Sequence, residues 1–213
     1  MKKIGIIGSG IVAQTLGEGF IKHGYSVMLG SRDQGKLAEW KSSKGKDAEL
    51  GTFEEAAAFG ELLVLSIKGS VAVDVLNSIE VKHLTGKTIM DATNPIADGS
   101  PENGVLPFFT DQNGSLMETL QNSFPDTHFV KAFNSVGSHL MVNPSFDTKP
   151  TMFICGNHEE SKKEVTAIVT LFGWEVEDMG TAEAARAIEP LCILWCIPGF
   201  LEGKWSHAFK LLK

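Results

Sequence analysis

The chain is poor in cysteine, with three in 213 residues. That is too few for a disulfide framework. Cys192 and Cys196 stand four apart and would share one face of a helix. A metal site would need two more ligands, and no histidine lies near them in sequence, so they read as buried free thiols. Basic excess is also missing. The net charge of -7 argues against a nucleic-acid partner, which would need a basic face. The longest apolar runs are strand-sized, so no membrane span is expected. The start, Met1-Lys2-Lys3, passes directly into a short apolar segment without the longer apolar region of a secretory signal. These absences point to a cytoplasmic protein with no membrane partner. There is no repeat, low-complexity segment or linker, no G-x-S-x-G elbow and no H-E-x-x-H helix. Neither a Ser-His-Asp triad nor a metal is expected.

What is present reads as an ordinary globular domain, 43% hydrophobic and 21% charged. Its length suits one domain, with the strands and helices from about residue 136 forming an extension. Apolar runs alternate with helical patterns. "KIGII" (Lys3 to Ile7) is a strand, and a helix follows from about Ile11 to Lys22, with Gly24 as its stop. Further strands are expected at Tyr25 to Leu29, Ala48 to Leu50, Leu62 to Ile67, Thr88 to Ala92, His128 to Phe133, Thr151 to Cys155 and Trp174 to Met179. Thr52 with Glu55, and Ser115 with Glu118, are spaced as helix caps. Residues 94–113 carry Pro95, Pro101 and Pro107 and form a long loop. The last helical segments are expected to break at Pro190 and Pro198. The pattern predicts an α/β, Rossmann-type, doubly wound and mostly parallel sheet with a C-terminal helical extension.

"GSGIVA" (Gly8 to Ala13) fits G-x-G-x-x-A between a strand and a helix. Gly8 permits the tight turn. Gly10 leaves room for a pyrophosphate, and the N–H groups near Ile11 and Val12 face it, with Ser9 in the turn. Where dinucleotide-binding proteins often carry an acid after the second strand, this chain has Ser31 and Arg32, with Lys36 four residues on. An acid would bind the ribose 2′-OH of NAD and repel a 2′-phosphate. A hydroxyl and a guanidinium favour NADP(H). Asp33 stands beside Arg32 and is a competing partner for it.

With these residues in view, the chain resembles the F420-dependent NADP oxidoreductases, which move a hydride between NADP(H) and the deazaflavin F420. The resemblance runs almost end to end. It rests on "IGIIGSGIVAQTLGEGFIKHGYSVMLGSR", "LLVLSIK", "MDATNP", "VKAFNSVG", "ARAIEPLCILW" and "FKLLK". It implies that Gly8, Ser9, Gly10, Ile11 and Val12 hold the pyrophosphate, and that Ser31, Arg32 and Lys36 hold the 2′-phosphate. It further implies that Ser66, Ile67 and Lys68 line the path to the nicotinamide. Asn94 and Pro95, with Ala132, Phe133 and Asn134, would flank the nicotinamide and the acceptor ring, F420 or a flavin. The loop Asp98 to Gly114 reads as longer than compact relatives would have, and could reshape the acceptor pocket.

Asn134 is the best candidate for an orienting residue near the reaction, by hydrogen bonding the nicotinamide carboxamide or the acceptor ring. The alternative is a strand-ending cap. Lys131 either points at an anionic acceptor or is simply exposed, and His139 is either a site residue or a packed or surface histidine. Trp195, Phe200, Trp205 and Phe209 pack the core, cap the acceptor pocket or form the face of a homodimer. Two rival functions remain open: reduction of a small carbonyl or imine, with Lys131, Lys68 or His139 as acid, and a non-catalytic NADP(H) sensor.

Overall fold

The structure, a computed structural model, describes residues 2–213. Strands β1 (Lys3–Ile7), β2 (Ser26–Gly30), β3 (Glu49–Gly51), β4 (Leu62–Leu65), β5 (Thr88–Asp91), β6 (His128–Lys131), β7 (Thr151–Gly156) and β8 (Glu175–Asp178) form one eight-stranded sheet of order β3-β2-β1-β4-β5-β6-β7-β8. Every neighbouring pair is parallel except β6 with β7. Helices α1 (Ile11–Lys22), α2 (Ala38–Ser43), α3 (Phe53–Phe59), α4 (Ala72–Asn77), α5 (Leu116–Ser123), α6 (Glu159–Leu171), α7 (Ala185–Ile188) and α8 (Leu191–Glu202) complete it. The strands after residue 136 extend this same sheet.

The central strands are apolar throughout because both faces are covered. Ile4, Ile6, Leu62 and Val64 pack with Leu16 and Phe20 of α1 in one core. Ile7, Leu63, Leu65 and Ile89 pack with Leu76, Leu116 and Leu120 in the other. Each such side chain, fully buried, is worth about 1.5–3 kcal/mol. Gly5 brings α3 against β1: a Cβ there would stand 2.0 Å from the Ala56 carbonyl oxygen. The Thr52 capping box is present in full, and α1 ends next to Gly24 as expected.

Three expectations change. The β6 strand stops at Lys131, because Phe133 adopts a left-handed φ of 60° that no extended strand tolerates. Pro198 does not break the last helix. It lies near the C-terminal end of α8, costs one ladder donor, and the helix runs on to Gly203 at φ 68°. The run Ala182–Glu202 is also longer than strand-sized. It has the length and mean hydropathy of a membrane-crossing helix, with 33% of its apolar window buried. Here it is a 3-10 turn, α7 and α8 in succession, and it carries Glu183, Arg186 and Glu189.

Candidate functional site

β1 and β4 lie side by side while their following helices leave in opposite directions along the sheet order. A crevice therefore opens at their carboxyl ends. A cavity of about 410 Å³ occupies it, lined by Gly8, Ser9, Gly10, Ile11, Val12, Ser31, Arg32, Asp33, Lys36, Ser66, Ile67 and Lys68. Eleven of these twelve lining residues are ones the sequence pointed to as cofactor-binding; Asp33 is the twelfth. Gly8 sits at φ 148°, and a Cβ there would meet the Ser66 carbonyl oxygen at 2.4 Å. Gly10 caps α1 without a side chain, and a Cβ on it would meet nothing within 4 Å. This is an open cradle where a phosphate can approach the backbone. Gln14 Nε2 donates to the Ser9 carbonyl at 2.9 Å and holds the turn. The first ladder bond of the helix runs from Gln14 N–H to Gly10 O, which leaves the N–H groups of Ile11 and Val12 for an anion.

The loop after β2 settles the question of Asp33. Ser31 Oγ donates to the Asp33 carbonyl at 2.9 Å and accepts from Asp33 N–H at 3.1 Å. The Asp33 carboxylate caps the following turn by accepting from Gly35 N–H. Asp33 is thus committed to the loop's own backbone. Among the described residues no carboxylate lies within ion-pair distance of Arg32 or Lys36. Two unpaired cations therefore border the cavity, beside a serine whose hydroxyl is already engaged.

Phe53, Val71, Val75 and Ala92 complete the wall, and sequence reasoning missed them. Their signal was weak: they are ordinary apolar residues, Phe53 at the start of α3, Val71 just before α4 and Val75 within it, and Ala92 just past β5. Lys68 forms an exposed ion pair with Asp98 at the root of the long loop. That loop folds as an irregular hairpin, with bridges between Ile96 and Phe108 and between Glu102 and Val105.

Asn94, Pro95, Ala132, Phe133 and Asn134 do not reach the cavity wall. They form a layer just beyond it. Gly69, next to the lining Lys68, backs so closely on the Asn94 carbonyl that a Cβ would stand 2.1 Å from its oxygen. Asn94 Nδ2 donates to the Asn134 carbonyl at 2.7 Å, and Asn134 Nδ2 donates to Asn94 Oδ1 at 3.2 Å and to the Ile188 carbonyl at 3.0 Å. Asn134 Oδ1 is buried and accepts nothing. The left-handed Phe133, whose N–H donates to Met152 Sδ, turns the chain into this pair.

Lys131 corrects the sequence reading most sharply. It is neither exposed nor aimed at a ligand. It is fully buried, with Nζ 2.7 Å from Asp91 Oδ2, 2.9 Å from Glu189 Oε1 and 2.9 Å from the Thr93 carbonyl. Burial alone lowers its pKa, but the Asp91 and Glu189 carboxylates outweigh it and hold the ammonium above the usual lysine range. Such a group is no general acid at neutral pH. His139 does not line the cavity; it lies with Ile11, Thr15, Lys22 and Asn143 around a second groove along α1, which shares only Ile11 with the cavity. Cys192 is buried on α8 and Cys196 half-buried, both free. Glu54, Glu80 and His83 stand close enough to share an ion, but Glu54 already accepts from Glu80 N–H and faces His83 Nε2.

Comparison with known proteins agrees with this geometry. The family profile described as "NADP oxidoreductase coenzyme F420-dependent" matches residues 3–95, the N-terminal part that builds the cavity. The chain is 28% identical over 203 residues to metalloreductase STEAP3 of Rattus norvegicus, covering 93% of this chain and 39% of that protein. It thus spans about two fifths of the length of that relative. It is 25% identical over 175 residues to the F420-dependent NADP reductase of Methanocaldococcus jannaschii, covering 78% of each. A crystal structure from Arthrobacter sp. FB24, carrying the provisional name F420-dependent NADP-reductase, superposes with a TM-score of 0.91 at 28% identity over the whole of both chains. A reductive aminase of Aspergillus terreus, solved with NADPH, shares the fold at a TM-score of 0.68 and 18% identity, over 95% of this chain and 63% of that one. The likeness read from the glycine turn and the "GSR" loop is borne out by these matches: the chain is similar to NADP-dependent oxidoreductases of the F420-dependent NADP reductase type.

Proposed function

We propose that the protein transfers a hydride between NADPH and a planar ring acceptor, a deazaflavin or a flavin. The observation that carries the reading is the pair of unpaired cations, Arg32 and Lys36, on the same cavity as the open cradle at Gly10. In this reading the N–H groups of Ile11 and Val12 bind the pyrophosphate, and Arg32 and Lys36 bind the 2′-phosphate. Ser31 supports them by shaping the loop. NADPH supplies the hydride when bound. The chain's own part is to exclude water and to hold two rings with reacting carbons about 3–3.5 Å apart, which needs no protein acid.

Reduction of a carbonyl or imine, by contrast, calls for a proton donor. Lys131 is sealed, Lys68 is paired with Asp98, and His139 faces another groove. The ring acceptor is therefore the better supported of the two. We further propose a cytoplasmic homodimer, with the exposed Leu194 and Leu201 of α8 on its subunit face.

The test follows NADPH absorbance with F420, FMN, FAD and a set of small ketones and imines. Oxidation with a ring acceptor is expected. Turnover of carbonyls or imines alone would replace the reading, and tight NADPH binding with no turnover on any acceptor would make the protein a sensor.

A further inference from the structure

The cavity wall holds a third cation, Lys68, which differs from Arg32 and Lys36 in having a partner. That partner is Asp98, at the root of the hairpin closed by the Ile96–Phe108 bridge. The hairpin is held by its own backbone: Ala97 N–H donates to the Pro107 carbonyl at 2.8 Å, and Phe109 N–H to the Pro95 carbonyl at 2.9 Å. Its tip rests on α8, where a Cβ on Gly104 would stand 3.0 Å from the Leu201 side chain. Among the described residues, Lys68–Asp98 is the one ion pair made by residues 94–114. Neither member is locked by packing, since the two side chains are 52% and 87% exposed.

The same wall carries a buried hydroxyl that nothing in the chain engages. Ser66 lines the cavity, is 7% exposed, and its Oγ has no hydrogen-bond partner. It stands against the glycine turn: a Cβ built on Gly8 would lie 2.9 Å from Ser66 Oγ. A buried hydroxyl left unpaired is unfavourable, and a pyrophosphate seated on the glycine turn would give it an acceptor. That seat brings the anion to the wall that Ser66, Ile67 and Lys68 form together.

Charge then decides between two partners for Lys68. A pyrophosphate carries two negative charges against one on Asp98, and a crevice screens it less than open water screens the exposed pair. Asp98 can return to water freely, unlike the sealed Asp91. An exposed ion pair is a weak competitor rather than a lock.

We infer that Asp98 makes an autoinhibitory contact: it competes with the coenzyme's pyrophosphate for the Lys68 ammonium, and NADPH binding exchanges the Lys68–Asp98 pair for a Lys68–pyrophosphate pair. This rests on the NADPH reading above. No covalent bond or proton moves. The hairpin thereby restrains coenzyme affinity, and the coenzyme releases the hairpin's root from the cavity wall.

The experiment measures binding of NADPH and of 2′-AMP by calorimetry at low salt, on wild type, D98N, K68Q and the double variant. 2′-AMP has the 2′-phosphate but no pyrophosphate, so it reports the Arg32 and Lys36 clamp alone. Both positions are exposed, so the variants should fold. D98N should bind NADPH about twofold to fivefold more tightly than wild type, the size of a lost exposed ion pair, and 2′-AMP with unchanged affinity. K68Q should bind NADPH more weakly, and adding D98N to it should change nothing. The D98N gain should shrink as salt rises. Equal or weaker NADPH binding by D98N would overturn the inference, because Asp98 would then be a bystander or a support for Lys68. So would an unchanged K68Q, or a D98N gain that persists in the K68Q background or extends to 2′-AMP, which would reflect only one negative charge fewer near the cavity. A wild type that binds NADPH no better than NADH would instead overturn the NADP reading beneath it.

Discussion

Arg32 and Lys131 occupy equivalent places, each just at the carboxyl end of a parallel strand, and they behave in opposite ways. Arg32 lies on an open cavity, exposed, with its nearest sequence neighbour Asp33 engaged elsewhere. Lys131 has two carboxylates and a carbonyl around it and no access to solvent. The contrast divides the sheet. On the β1–β4 side, backbone donors and the cations Arg32 and Lys36 are left without partners within the chain around an open crevice. On the β5–β6 side, every charge is answered from within the chain. Unanswered charge beside a cavity waits for a ligand, whereas answered charge in the interior sets geometry.

The strongest way to break this contrast is Lys131→Ala. It leaves two carboxylates buried against each other and should cost about 3–5 kcal/mol of stability in urea unfolding. A loss under about 1 kcal/mol would mean that the cluster of Lys131, Asp91 and Glu189 is not closed. Next comes Arg32→Ala. If it removes a charge-assisted pair worth about 1.5–3 kcal/mol, the preference for NADPH over NADH should fall by roughly tenfold or more. Stability should stay within about 0.5 kcal/mol, since the residue is on the surface. Equal weakening of both coenzymes would show that Arg32 supports its loop instead. Gly8→Ala sharpens the open side. Its φ of 148° and the 2.4 Å approach to the Ser66 carbonyl should cost about 1–3 kcal/mol and reduce binding of both coenzymes together, read by thermal shift and calorimetry.

The smallest effect concerns His128, whose ring stacks on His158 at 3.8 Å between centroids. Burial, and then the neighbouring His158, push its pKa below the usual histidine range. The folded protein therefore binds this proton less readily than the unfolded chain. The resulting stability is present above the ordinary histidine pKa of about 6.5 and is lost as pH falls through the depressed folded value. The melting temperature should drop on acidification through that window, and His128→Gln should flatten the drop. An unchanged pH profile in the variant would remove the stack from the account.

What was legible in the sequence follows the same division. Thr52 with Glu55, Gly24 after α1, and the glycine turn are local signals, read from neighbours a few residues apart, and the structure keeps them. The cavity is built largely from such segments, so Gly8 to Val12, Ser31, Arg32, Lys36 and Ser66 to Lys68 all came to its wall. Lys131 was misread because the partners that bury it, Asp91 and Glu189, are distant in sequence and carry no local mark. Phe133 was placed inside a strand because nothing in "KAFN" announces a left-handed phenylalanine; tertiary packing imposes it. The unbroken α8 had the same cause. Proline near a helix end removes a single donor, and the apolar packing of Cys192 and Trp195 outweighs it.

Calorimetry of the wild-type protein with NADPH and with NADH tests the central claim, that cations left unpaired at the end of β2 select the phosphorylated coenzyme. The account predicts NADPH tighter by at least about tenfold, with a gap that narrows as salt rises. Equal affinities for the two coenzymes would contradict it.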